Sequence, residues 1–238
     1  MKKFFFFFFL PINLLFSQNY KVEYEEISLL SENSKKNLPE FIVKNYEEAR
    51  LHDLLINEND LCLYKQQEKL GKGNGIETVG NYTVNFIITD PSEKYIYQDI
   101  NIENRNYKVK SPLELSKRWQ NYRETKTING ILVTKATLET INDYIEVWYS
   151  KEIKTKCGPS KILGFPGLVI EVLAKPKDIN KPITIYKMKN IFFLKDDLEL
   201  KPYFSKISNK TITTEEFDEI YKNYQKNVQE MYGNKVDR

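Results

Sequence analysis

Histidine is almost missing from this 238-residue chain, with His52 its only example. A zinc site would therefore have to lean on scattered carboxylates or on both cysteines. A Ser/His/Asp set would need His52 together with a Gly-x-Ser-x-Gly elbow, and no such elbow is present. His52, in Leu51-His52-Asp53, reads as a surface or half-buried residue. Cysteine is equally scarce. Cys62 and Cys157 could form one bridge or remain as two thiols, because spacing alone does not place their Cα atoms. Cys157 precedes Gly158-Pro159 and reads as a turn cysteine, not a nucleophile.

Other signatures of chemistry are also lacking. Gly71, Gly73 and Gly75 cluster without the full phosphate-binding fingerprint or a helix after them, so they read as a hairpin loop. The acidic pairs Glu25-Glu26, Asp196-Asp197 and Glu215-Glu216 are sequence neighbours; in a strand such neighbours point to opposite faces, unlike the facing acid and base of a glycosidase. Asn57-Glu58-Asn59-Asp60 lacks the glycine and distal glutamate of a calcium loop and reads as a turn. No catalytic residue, metal or cofactor is therefore assigned.

No apolar run reaches the roughly 20 residues that span a bilayer. The longest, Phe4 to Phe16, follows Met1-Lys2-Lys3 and ends beside small Ser17. That layout is a secretory signal over residues 1–17, with no cysteine after the cut to carry a lipid. Its removal leaves residues 18–238 as a single domain with no transmembrane span, placed in the periplasm or outside the cell. Without Lys2 and Lys3, 34 basic residues face 33 acidic ones. Such a balance argues against nucleic acid as a partner.

Alternation is abundant. Tyr20, Val22 and Tyr24 alternate with Lys21, Glu23 and Glu25, and Tyr82, Val84, Phe86 and Ile88 alternate with polar residues. Looser strand patterns cover residues 61–65, 94–100, 105–110, 128–137, 144–153, 168–174 and 183–193. Successive strands without helices between them predict an antiparallel sheet. A short helix is expected within Leu38 to Leu51. A longer one is expected over 214–231, where Phe217, Ile220, Tyr221, Tyr224, Val228 and Met231 share a face and Thr213 with Glu216 makes a capping box. The fold class is mainly β: a curved antiparallel sheet, at its limit an open half-barrel, with a C-terminal α-helix laid on it.

Gly164-Phe165-Pro166-Gly167-Leu168-Val169-Ile170, read with Trp148-Tyr149 and Cys157-Gly158-Pro159, resembles the signature of the GLPGLI family of bacterial exported proteins. The likeness extends from about Arg123 to Val172, with Phe165 where the family name has Leu and Val133 where relatives often carry Cys. It implies export. Phe165-Pro166-Gly167-Leu168 reads as a type II turn with Gly167 at positive φ, after which Leu168, Ile170 and Val172 point one way and Val169, Glu171 and Leu173 the other. Gly164, Pro166, Gly167 and Leu168 are thus structural, while Trp148, Tyr149 and Phe165 would line a binding rim. The expected function is a non-enzymatic binding or carrier-like module taking an apolar, peptide or glycan-like ligand in the hollow of its sheet. The alternatives are an accessory module docking on another envelope protein and, behind it, a hydrolase using Cys157 or carboxylates.

Overall fold

The computed structural model describes residues 19–36, 38–67, 82–113, 119–195, 200–207 and 210–233. The signal segment 1–17, the glycine cluster 71–75 and the Asp196-Asp197 pair lie outside them.

Alternation becomes a single open sheet. Its strands are β1 (Asn19–Leu29), β2 (Arg50–Ile56), β3 (Cys62–Gln66), β4 (Thr83–Asp90), β5 (Tyr95–Ile102), β6 (Arg105–Pro112), β7 (Gln120–Ile128), β8 (Ile131–Glu139), β9 (Asp143–Ser150), β10 (Leu168–Pro176), β11 (Ile183–Leu194) and β12 (Ile212–Thr213). They lie in the order β12-β6-β5-β4-β3-β2-β1-β11-β10-β9-β8-β7. Two antiparallel meanders, β2 to β6 and β7 to β11, are therefore joined through β1, which pairs with β2 on one side and β11 on the other. The sheet does not close. Its one parallel contact is the two-residue β12 beside β6.

Helices occupy the gaps: α1 (Glu32–Lys36), α2 (Glu40–Glu47), α3 (Lys201–Ile207) and α4 (Thr214–Gly233). The capping box closes as read, with Thr213 N–H donating to Glu216 Oε2 at 2.7 Å and Glu216 N–H donating to Thr213 Oγ1 at 3.2 Å. The first half of α4 docks on the sheet, with Phe217 buried against Ile100, Ile102 and Val109. Further along, the stripe lifts off, and Met231 is exposed.

Three readings change. The expected helix over 38–51 ends at Glu47, and β2 begins at Arg50 because His52, Leu54 and Ile56 alternate into the core. The run 128–137 contains a turn: Asn129 and Gly130 both adopt positive φ, as a tight hairpin requires, and separate β7 from β8. β7 itself was invisible to alternation, since Gln120 to Thr127 are all exposed and polar or aromatic.

Candidate functional site

The 17 residues of 151–167 that connect β9 to β10 organise the site. They reach β3, where Cys157 and Cys62 form a disulfide with Cα atoms 6.3 Å apart. β3 lies four places from β10 in the sheet order, so this link ties one meander across to the other. Tyr24 of β1 adds a second tie by donating its buried hydroxyl hydrogen bond to the Val169 carbonyl.

Gly167 does not take the type II conformation expected of it. Positive φ falls instead on Gly164, at +88°. Glycine is needed at 167 for a different reason: a Cβ there would overlap the carbonyl oxygen of Ser150 at the end of β9. Leu168 N–H then donates to Ile153 O at 2.9 Å, which sets the start of β10. The facing of β10 also departs from simple alternation. A bulge between Val169 and Glu171 places Val172 opposite Val147, in the same apolar cluster as Val169. Leu168 and Ile170 join the other, larger cluster.

Trp148, Tyr149 and Phe165 are core residues, at 5%, 2% and 3% exposure. Phe165 packs between Trp119 and Tyr149, with ring centroids 4.5 and 5.1 Å away. Trp148 donates its indole N–H to Glu146 Oε1 at 2.9 Å, while Lys126 and Lys135 lie 4.1 and 5.5 Å from its ring. Burial raises the Glu146 carboxyl, but hydrogen bonds from Lys135 and Trp148 outweigh it and hold the group below the ordinary carboxylate range. The ring is thus already engaged by two ammonium groups, and the three aromatics offer little surface to a ligand.

A polar seam missed by the sequence reading lies beside the tie. Pairing of Tyr24 with His52 and of Glu26 with Tyr186 puts these side chains on one face of β1, β2 and β11. His52 is buried at 9% exposure, not on the surface, and stacks parallel on Tyr64 at 4.9 Å. Its Nε2 is 3.1 Å from Glu26 Oε2, yet the angle is not that of a hydrogen bond, and neither ring nitrogen has such a partner among the described residues. The Tyr64 hydroxyl is likewise without one. Burial pushes the hydroxyls of Tyr24, Tyr64 and Tyr186 well up, so each keeps its proton at ordinary pH. In this seam Tyr24 and Tyr64 are shut away from solvent and Tyr186 is half-buried, and protonated phenols present no nucleophile. The period-two spacing of His52, Leu54 and Ile56 was the signal that could have placed it.

Open surface is found elsewhere. A groove of about 420 Å³ runs between the α1–α2 segment and the β10–β11 turn, lined by Leu30, Leu38, Ile42, Tyr46 and Pro182 among others. No group of three or more His, Cys, Asp or Glu placed to hold a metal occurs among the described residues. None of their helices is long and apolar enough to cross a membrane.

The family model described as the N-glycanase peptide, N-terminal domain, matches residues 45–223, about three-quarters of the chain. The chain belongs to this family. The match neither supports nor opposes the GLPGLI resemblance. Two solved structures of PNGF-II share the fold: one in space group C2, with 16% identity and a TM-score of 0.56, and one in P21, with 17% and 0.57. They cover 89% and 87% of this chain, which spans only 33% and 34% of theirs. The chain thus spans about a third of those molecules, and the likeness concerns fold alone. No curated protein sequence matches the chain.

Proposed function

We propose that this chain is a non-enzymatic binding module of an exported protein, holding its ligand on the surface and not in the hollow of its sheet. One observation carries the reading. Trp148, Tyr149 and Phe165, the aromatics that could have lined a hollow, are packed into the core beneath a loop pinned by a disulfide. Ligand contact then falls to open apolar surface such as the groove between α1–α2 and the β10–β11 turn. Of the apolar, peptide and glycan-like ligands that fit such a module, membership of an N-glycanase domain family favours the peptide and the glycan-like ones.

Native mass spectrometry on protein taken from its own envelope tests this reading directly. A copurifying peptide, glycan or apolar adduct is the expected result. The disulfide leaves Cys157 no thiol for a nucleophile, so absence of any adduct, together with hydrolytic turnover by the purified chain that a carboxylate substitution abolishes without lowering its melting temperature, would replace the binding module by the hydrolase. A docking role on another envelope protein has its own support in the exposed pair Phe192 and Phe193.

A further inference from the structure

The open edges of β7 and β11 differ in kind. The outer edge of β7 is blunted by Arg123, Glu124 and Lys126 and by a register shift between Asn121 and Thr125, which are the usual defences against unwanted pairing. β11 carries a register shift and a charge only at Lys189, and neither beyond it. β10 pairs with it only from Thr184 to Lys187, and beyond Lys187 no described strand joins that side. The Asn129 side chain donates to Met188 O at 3.4 Å, and the edge then runs on through Asn190-Ile191-Phe192-Phe193-Leu194 without a charge. Phe192 is 44% exposed and Phe193 61%. An uncharged apolar edge left open in water is a template for another strand.

The geometry points to a strand-addition site: the free side of β11 from Asn190 to Leu194 receives an extended segment of another polypeptide, apolar at its centre and acidic at its ends. Main-chain groups supply the pairing, and Phe192 and Phe193, on opposite faces, grip alternate side chains of the added strand. Charge sets the ends. Lys187, Lys189 and Lys195 bracket the stretch and are exposed, with Lys189 drawn to Glu25 at 3.5 Å. An antiparallel pairing of two copies centred on Phe192 would set Lys189 of each against Lys195 of the other, and like charges directly opposite destabilise a ladder. A foreign strand with acidic ends meets no such conflict. This inference rests on the binding-module reading and names its ligand class.

The probe is a synthetic peptide of alternating valine and threonine with two glutamates at each end, titrated into the full chain while amide protection is followed residue by residue. Saturable binding that protects amides within 188–195 is expected, weakened at least tenfold when the peptide's ends are lysine. The double variant Phe192→Glu, Phe193→Glu should weaken binding of the acidic peptide at least tenfold with an unchanged melting temperature; Phe193→Thr, at the more exposed position, serves as a milder second variant. Equal binding by the variants overturns the proposal. So does a concentration-dependent dimer that the variants abolish, which would make a second copy the occupant. Protection confined to the Leu38–Tyr46 groove removes the edge assignment and leaves the binding module standing, whereas a wild-type chain with neither peptide binding nor a native adduct removes both.

Discussion

Gly167 matters because of its neighbour and not because of its own dihedral angle. A methyl group there meets the Ser150 carbonyl, a backbone atom that cannot swing away, so the start of β10 must shift. Overpacking of this kind costs about 1–3 kcal/mol. Gly167→Ala should therefore lower the melting temperature by roughly 2–12 °C, at about 2–4 °C per kcal/mol for a chain of this size. An unchanged melt would remove the close contact. Glu23 offers a second test. A hydrogen bond from Asn190 holds its carboxyl below the usual value of 4.5, with help from Lys21 and Gln67 and against burial. Its folded pKa is depressed, so its contribution is complete above pH 4.5 and lost as pH falls through the lower folded value. Melting temperatures measured between pH 6 and pH 3 should drop, and Glu23→Gln should flatten that drop. Parallel curves for the two proteins would show that Glu23 is not responsible.

Among elements, the loop 151–167 stands out because its one covalent link reaches across the sheet. The Cys62–Cys157 bridge joins residues 95 apart in sequence. Closing a loop of that size in the unfolded chain is worth about 2–5 kcal/mol on the chain-entropy account. Urea melts should show that loss on reduction, and Cys157→Ser should reproduce it without reductant. Equal midpoints with and without reductant would mean that hydrogen bonds and packing hold the loop unaided. Elements also show where alternation stops being informative. β1 was legible because one face of it is buried, and β4 and β10 because their runs of apolar residues are buried on both faces. β7 was not, because a strand exposed on both faces carries no periodic signal, and β2 was hidden by a helix read up to Leu51 and a histidine read as surface or half-buried.

Over the whole molecule, β1 sits where the two meanders meet and is flanked by long antiparallel partners on both sides. Val22 and Tyr24 at its centre are fully buried. Cooperative opening should leave this strand until last. Hydrogen exchange is expected to show the slowest amides in β1 and the paired half of β11, with β7 exchanging first. A β7 as protected as β1 would mean that its outer edge is covered in solution. The pairing of β1 with β11, from Asn19 with Leu194 to Leu29 with Ile183, spans most of the chain, so folding should also be slow relative to a helical chain of this length.

The order of apolar and polar residues was enough to specify a mainly β protein with antiparallel strands and a capped C-terminal helix, because burial of one face writes a period of two or of 3.6 into the chain. It could not decide the pairing of Cys62 with Cys157, the bulge that turns Val172 to the side of Val169, or the loss of Trp148, Tyr149 and Phe165 to the core. Those depend on which surfaces meet across the sheet, and only the folded chain brings residues nearly a hundred positions apart into contact. The edge of β11 belongs to the same class: its sequence reads as an ordinary strand, and only the departure of β10 after Lys187 leaves it without a neighbouring strand among the described residues.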